Sequence, residues 1–202
     1  MNTVTFRDFE ERDIDFIYRC KNDEKLNELI VGQYHPFTYD EAVKWVHGCM
    51  GEHETYKFWA IVTNDDEKRI VGWVSLSEID KANRSACFHG LVIGDKEYHD
   101  GFAWIESYLF VYEYAFERLG LNRVYGTRLM EHKQTQAMGL VMFSKQEGVL
   151  RQAAYKNGQY HDLSIGSLLS SEYYEHKNNG DYEISAIIKR IKKARKEMKN
   201  EE

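Results

Sequence analysis

The stretch from Ile93 to Phe116 restricts what this chain can fold into more than any other part of the sequence. It shows the end of an apolar strand, a short polar loop that contains Gly101, and an amphipathic helix. The N–H groups in the first turn of a helix have no intrahelical partners, so a loop in this position can hold a phosphate group. The stretch therefore predicts a strand–loop–helix unit with an anion-binding end.

The composition is typical of one globular domain. The chain has 202 residues, of which 43% are hydrophobic and 30% charged, and its net charge is −6. A negative charge does not favour nucleic-acid binding, so we expect no nucleic-acid partner. The sequence has no apolar run of about 18 residues and no signal-peptide pattern. We therefore expect a cytoplasmic protein with no membrane partner.

The cysteines indicate buried thiols rather than disulfides or metal ligands. Cys20, Cys49 and Cys87 are odd in number, lie far apart and lack metal-ligand spacing. This pattern fits a reducing compartment, and we expect no metal site.

Hydrophobic periodicity and turn residues predict the helices and strands. A polar break at residues 22–23 divides the helical pattern of Asp13–Leu29 into two short helices. Thr38 is a suitable N-cap with Glu41 three residues later, and this capping-box spacing starts a helix that ends near Cys49. The other predicted helices are Ile105–Leu119, Gln136–Val141 and Ile184–Met198, and the predicted strands are Asn2–Phe6, Tyr56–Thr63, Arg69–Ser77, Ser85–Ile93, Arg123–Leu129, Glu147–Ala154 and Tyr160–Leu168.

The order of these elements is β-α-α-β-β-β-α-β-α-β-β, which predicts a mixed α/β layer fold with helices on both sides of one sheet. Asn157 and Gly158 give a strong hairpin signal between the last two strands. We expect residues 1–176 to form this domain and residues 177–202 to form a basic helical C-terminal tail. The basic residues of the tail indicate a solvated helix, with binding to RNA or to an acidic partner as the alternative.

Four stretches of the chain carry a family pattern: Ile93-Gly94-Asp95-Lys96-Glu97-Tyr98, the helix Glu106–Phe116, the run from Glu117 to Val124, and Glu147–Arg151 with Asn157–Asp162. Together with the element order, they resemble the GCN5-related N-acetyltransferase (GNAT) superfamily. The similar branch acetylates ribosomal-protein N-termini, polyamines and nucleotide-linked amino sugars. The resemblance covers roughly residues 3–175. It implies a GNAT fold, α/β (α+β), with a mixed, mostly antiparallel central sheet, a splayed strand pair and helices on both faces.

The resemblance also implies acetyl-CoA as co-substrate. In such enzymes acetyl-CoA lies in a V-shaped gap between two splayed strands, which would be Ser85–Ile93 and Arg123–Leu129 here. An unpaired strand edge offers N–H and C=O groups to the pantetheine amides, and the pyrophosphate meets the loop at the helix start. The implied contact residues are Leu91, Val92, Ile93, Tyr98, His99, Asp100, Gly101, Phe102, Ala103, Trp104 and His132.

The loop departs from the family pattern Gln/Arg-x-x-Gly-x-Gly/Ala, and two alignments stay open. Without a gap, Phe102 and Trp104 occupy the two glycine positions. With a shift of one residue, Gly101 and Ala103 fall on those positions and Tyr98 replaces the Gln/Arg. The shift, which we favour, needs one extra residue early in the helix, and a π-bulge could absorb it.

A second departure follows the second splayed strand, where the family commonly has an Asn that orders CoA and a Tyr that protonates the leaving thiolate. Residues 131–139 contain neither, and His132 lies nearest the Asn position. The candidate catalytic residues are His89 within a central strand, Glu78 at a strand end, and His132. The competing interpretations are a buried, hydrogen-bonded histidine at position 89 and a strand cap at position 78.

Residues and resemblance together predict an acetyl-CoA-dependent N-acetyltransferase. Transfer is direct, in a ternary complex, because no cysteine has an evident neighbouring base. The acceptor is a small-molecule or peptide primary amine: a nucleotide-linked amino sugar or a protein N-terminus, then a polyamine. The alternative is a non-catalytic binding module with a degenerate CoA site, which a gap filled by Phe102 or Trp104 would favour. A homodimer is the expected assembly.

Overall fold

The computed structural model describes residues 3–28 and 30–198. Its strands are β1 Val4–Arg7, β2 Lys57–Thr63, β3 Ile70–Asp80, β4 Ser85–Ile93, β5 Arg123–Leu129, β6 Lys145–Lys156 and β7 Gln159–Leu169. Its helices are α1 Ile14–Lys21, α2 Glu24–Asn27, α3 Tyr39–Cys49, α4 Phe102–Glu113, α5 Lys133–Val141, α6 Ser170–Asn178 and α7 Ile184–Met198.

Within the described part of the chain, seven strands form one sheet in the order β1-β2-β3-β4-β5-β7-β6. Neighbouring strands run antiparallel except β4 and β5, which are parallel. The chain crosses between these two strands through α4, because parallel neighbours need a long connection. The predicted mixed, mostly antiparallel α/β fold is confirmed.

Helices cover both faces of this sheet. On one face, Val111 of α4 packs with Val71 of β3 in the main buried core. On the other face, Ile17 of α1 and Val46 of α3 pack with Trp73 of β3 in a second core. β3 supplies residues to both cores, which explains why it reads as a nearly continuous apolar run.

Local signals in the sequence correspond to observed contacts. The Glu41 carboxylate accepts a hydrogen bond from the Thr38 N–H at 2.7 Å, and the Thr38 hydroxyl accepts one from the Glu41 N–H, so the predicted capping box forms. Asn157 and Gly158 have φ angles of 51° and 79°, as a two-residue hairpin turn of this kind requires. The three cysteine thiols are buried and free, as predicted.

Several predicted boundaries are wrong. α4 begins at Phe102 rather than Ile105, because Asp100 and Gly101 cap it ahead of its apolar pattern. α5 begins at Lys133 rather than Gln136. The sequence analysis does not predict α6, because its sequence is polar and Tyr173 is its one buried residue. Predictions that extended to Asn2, Leu29 and residues 199–202 lie outside the described residues.

α7 packs one side on the main core. Ile187 is fully buried there, and the Arg190 guanidinium lies 4.3 Å from the centre of the Phe143 ring. Lys189, Lys192 and Lys196 are exposed on the other side. The division of the chain at residue 177 stays a prediction. Neither α7 nor any other described helix has the length and apolar character needed to cross a membrane.

Candidate active site

β4 and β5 pair at one end only. Their described pairing ends at Cys87 and Tyr125. Beyond these residues the strands separate and leave a cleft of about 150 Å³ between them. Gly126 stands at the point of separation, where a Cβ atom would lie 3.0 Å from the carbonyl oxygen of Phe88. The separation leaves strand edges open to a ligand.

β4 carries a bulge beside this cleft. Trp73 pairs with Val92 but Ser75 pairs with His89, so β4 has one more residue than β3 between these two pairs. Gly90 lies within the bulge and has a φ angle of 70°, which favours glycine. The Ser75 hydroxyl donates a hydrogen bond to the His89 carbonyl at 2.5 Å. Because a bulge takes backbone groups out of regular pairing, the edge around Gly90 can serve a bound molecule.

The loop between β4 and α4 is held by its own side chains. His99 Nε2 makes a 2.9 Å hydrogen bond with the Ile93 carbonyl, and the Asp100 carboxylate accepts one from the Phe102 N–H at 2.9 Å. Gly101 caps α4 with a φ angle of 99°, which a side chain would strain. The following N–H groups of the first turn have no intrahelical acceptor, so this end of α4 can hold an anion.

The extra residue expected early in α4 is not there. The helix is α-helical over Phe102–Glu113 and π-helical over Tyr114–Arg118, where the Leu119 N–H donates to the Tyr114 carbonyl at 3.0 Å. A π-turn therefore exists, but at the opposite end of the helix from the predicted one. Gly101 has a left-handed backbone conformation, which fits the glycine position that the shifted alignment gives it. The π-turn lies too late in the helix to supply the extra residue that this alignment needs.

Comparison with known families decides the identity of this fold. The sequence profile of the acetyltransferase (GNAT) domain matches residues 3–142, more than half of the chain. The chain belongs to the GNAT acetyltransferase family. It is thereby an N-acetyltransferase, and acetyl-CoA is its co-substrate.

This GNAT acetyltransferase is similar to relatives that carry specific names. The spermidine N(1)-acetyltransferase of Vibrio cholerae is 26% identical over 172 residues, which cover 84% of this chain and 95% of the relative. The putative ribosomal N-acetyltransferase YdaF of Bacillus subtilis is 33% identical over 104 residues, 52% of this chain and 56% of the relative. The crystal structure of spermidine N-acetyltransferase from Vibrio cholerae in complex with CoA and spermine shares the fold, with a TM-score of 0.75 and 23% identity over 86% of this chain and 99% of that chain.

The GNAT cleft has groups that suit acetyl-CoA: two open strand edges for the pantetheine arm and a helix start for the phosphates. Of the predicted contact residues, Leu91, Val92, Trp104 and His132 line the cleft. The others form the end of β4, the loop or the first turn of α4: Ile93, Tyr98, His99, Asp100, Gly101, Phe102 and Ala103.

The two bulky residues at the start of α4 leave the cleft open. Trp104 packs on Tyr108 with 4.1 Å between the ring centroids and forms part of the wall. Phe102 is half-buried and is not among the lining residues. Trp104 therefore forms part of the wall of the GNAT cleft, and neither Trp104 nor Phe102 fills it.

The two candidate bases of the central strands have different surroundings in the structure. His89 is exposed and lines the cleft, and its side chain forms no hydrogen bond to another described residue, so the buried-histidine interpretation is wrong. Glu78 lies outside the lining, and its Oε2 accepts a hydrogen bond from the Tyr125 hydroxyl at 2.5 Å. Burial and this hydrogen bond raise the pKa of Tyr125, so the phenol stays protonated at neutral pH.

His132 lies just before α5 and lines the same cleft. Burial lowers the pKa of His132, and the neighbouring Glu131 only partly opposes this. The imidazole is therefore neutral at pH 7, and it can accept a proton or share a hydrogen bond with a ligand.

Sequence reasoning missed Arg128, which also lines the cleft. Its guanidinium lies against α5, where a Cβ atom on Gly139 would come within 2.8 Å of the guanidinium carbon. It forms no hydrogen bond or ion pair with another described residue. The available signal was the period of β5: Val124, Gly126 and Arg128 share a face, and Val124 is buried in the main core. A charge on the core face of a strand is unusual and marks a candidate functional residue.

Lys156 holds the segment of residues 30–32 at the edge of the cleft by hydrogen bonds. The buried ammonium donates hydrogen bonds to the carbonyls of Asn27, Ile30 and Gly32 at 3.0, 2.9 and 3.0 Å. Ile30 and Val31 both line the cleft. This lysine therefore fixes one wall of the active site from the β6–β7 hairpin, a contact between residues more than a hundred positions apart.

Proposed function

We propose that the chain transfers the acetyl group of acetyl-CoA to a primary amine of a polyamine, directly and in a ternary complex. The observation that carries the choice is a pair of carboxylates next to residues of the cleft wall. Glu78 accepts a hydrogen bond from Tyr125, and Glu131, which pairs with His161, precedes His132 in the chain. Neither carboxylate lines the cleft itself, where Arg128 is the charged residue, but together with a net charge of −6 they attract a polycation to its surroundings. The similarity to a spermidine N(1)-acetyltransferase supports the same choice.

His89 is the proposed general base. It is exposed in the cleft, whereas Glu78 is engaged by the phenol of Tyr125. A base must reach the proton of the attacking amine, and an imidazole changes charge near neutral pH. A backbone N–H at the Gly90 bulge is the proposed donor to the thioester oxygen, where negative charge develops in the transition state.

The cofactor contacts are proposed on the same grounds. The pantetheine arm runs along the edge of β4 at Leu91 to Ile93, and the pyrophosphate lies at the loop from Tyr98 to Trp104. His132 contacts the arm from the start of α5. The open cleft supports this arrangement over a non-catalytic binding module, because Trp104 forms a wall of the cleft without filling it.

A protein N-terminus is the second candidate acceptor, because a putative ribosomal N-acetyltransferase is 33% identical over 104 residues. A nucleotide-linked amino sugar comes third, since its phosphates would meet the carboxylates of Glu78 and Glu131 beside the cleft. A cytoplasmic location and a homodimer remain predictions from the sequence.

The test is a panel of amines assayed with acetyl-CoA for release of free thiol and, by mass spectrometry, for the acetylated product. The panel holds spermidine, spermine, a peptide with a free N-terminal alanine, and a uridine-diphosphate amino sugar. We expect the highest kcat/KM with a polyamine, and a KM for it that rises with salt because its attraction is electrostatic. Preference for the peptide would replace the polyamine by the second acceptor, and transfer to none of the four would contradict the proposed acceptor class.

A further inference from the structure

Two of the three tyrosines that line the cleft are poorly placed to protonate a leaving thiolate. The hydroxyl of Tyr125 is held by Glu78, and that of Tyr112 points to the Met142 carbonyl at 3.4 Å. Burial raises the pKa of both phenols, which makes each a weak acid. Tyr108 packs its ring against Trp104. The chemistry of the proposed function still needs a group that stabilises the sulfur when the C–S bond breaks.

Arg128 is the one lysine or arginine among the described residues that line the cleft. An arm bound along β4, with its phosphates at the start of α4, has its sulfur toward the end where β4 and β5 converge at Cys87. The parallel register that pairs Cys87 with Tyr125 sets Arg128, three residues further along β5, across the cleft from Gly90 on β4, and both residues line the cleft. The glycine at position 139 leaves room for the guanidinium beside α5.

On the basis of the proposed function, we infer that Arg128 is a catalytic residue that stabilises the thiolate of CoA as an ion pair, in place of a proton-donating tyrosine. The amine nitrogen forms a bond to the thioester carbon, and its proton passes to His89. When the C–S bond breaks, its electron pair moves to sulfur. A guanidinium does not give up its proton at neutral pH, so the thiolate stays paired with Arg128 until solvent protonates it.

The test measures the affinity of CoA and of dethio-CoA, which lacks the sulfur, between about pH 7 and pH 9.5, by calorimetry. The cysteine thiol ionises at a pKa of about 8.5, and a nearby cation lowers the pKa of a thiol, so the thiolate fraction of bound CoA should rise across this range. For the wild type we expect CoA to gain roughly tenfold in affinity relative to dethio-CoA as pH rises. The other titratable groups that face the cleft are His89 on β4, Tyr108 and Tyr112 on α4, Tyr125 on β5 and His132 before α5. The dethio-CoA titration subtracts their effect on the part of the molecule that both ligands share.

Arg128→Met should remove this gain and leave the affinity for dethio-CoA within about threefold of the wild type, since a charge pair with sulfur is all that is lost. Arg128→Lys should keep part of the gain because it keeps the charge. Arg118→Met is the matched control, since Arg118 is exposed and paired with Glu113, and should behave as the wild type. In the transfer reaction, kcat of Arg128→Met should fall by about 10² or more, with little change in the KM for acetyl-CoA.

An equal loss of affinity for CoA and dethio-CoA in Arg128→Met would overturn the inference and assign Arg128 to binding or structure. An unchanged pH dependence would overturn it as well, and Arg128→Gln gives a second variant if the methionine variant unfolds. If the wild type binds neither ligand, both the proposed function and this inference are contradicted. If the wild type binds both ligands and Arg128→Met shows the same pH-dependent gain for CoA, the inference alone is contradicted.

Discussion

The carbonyl oxygen of Phe88 lies 3.0 Å from the position that a Cβ atom on Gly126 would occupy. This approach marks the point at which β4 and β5 stop pairing and the cleft begins. Glycine lets the two backbones come close here, so that the strands converge on one side and separate on the other.

Enlarging this glycine should therefore damage the cleft. We expect Gly126→Val to weaken acetyl-CoA binding by about tenfold or more, because overpacking forces backbone shifts that cost about 1–3 kcal/mol. Calorimetric titration of acetyl-CoA measures the effect. Gly148→Ala is the control, since a Cβ there meets only an Ile165 methyl group at 3.9 Å. Equal binding by Gly126→Val and the wild type would show that the strand separation does not form the cofactor site.

The proposed base can be tested by substitution. His89→Gln should lower kcat by about 10²–10⁴ with little change in the KM for acetyl-CoA, because the proton of the attacking amine loses its acceptor. The control is His47→Gln, an exposed histidine on α3 that pairs with Glu11. If Glu78→Gln lowers kcat more than His89→Gln does, the assignment of the base is wrong.

Burial of His132 makes protein stability depend on pH. Its folded-state pKa lies below the ordinary value of 6.5, so the unfolded chain binds more protons than the folded one in this range. The contribution to stability is complete above pH 6.5 and is lost as pH falls toward the folded-state pKa. Urea unfolding at several pH values should show a smaller loss of unfolding free energy below about pH 6.5 in His132→Gln than in the wild type. Parallel curves would mean that this imidazole is not buried neutral.

Sequence reasoning succeeded where the physics is local. The Thr38–Glu41 capping box and the Asn157-Gly158 turn involve neighbouring residues only, so composition and spacing predict them. It failed where a contact joins distant parts of the chain. The face of β5 that carries Arg128, and the hydrogen bonds of Lys156 to residues more than a hundred positions earlier, depend on the packed fold. His89 was found as a candidate, but its exposure was not predictable from its place within a strand.

Lys156 should affect both stability and the cleft. Lys156→Met leaves three partly buried carbonyls without their donor, and each unsatisfied group costs about 1–3 kcal/mol where water cannot replace it. We expect a loss of at least about 2 kcal/mol in unfolding free energy and a raised KM for the acceptor, because Ile30 and Val31 lose their anchor.

Lys145→Met is the control for this change. Lys145 begins the same strand but is exposed, and it pairs with Glu172. It should cost less than about 1 kcal/mol. Equal effects of the two substitutions on the acceptor KM would show that the anchored segment does not shape the acceptor site.

The most direct test of the account is a calorimetric titration of acetyl-CoA into the wild-type protein, with thermal unfolding in the presence and absence of the ligand as a second readout. The open strand edges and the start of α4 predict saturable binding in the micromolar range. At a hundredfold excess over Kd, the free energy of unfolding should rise by about 2.7 kcal/mol. The absence of binding at millimolar acetyl-CoA would contradict the assignment of the cleft between β4 and β5 as the acetyl-CoA site.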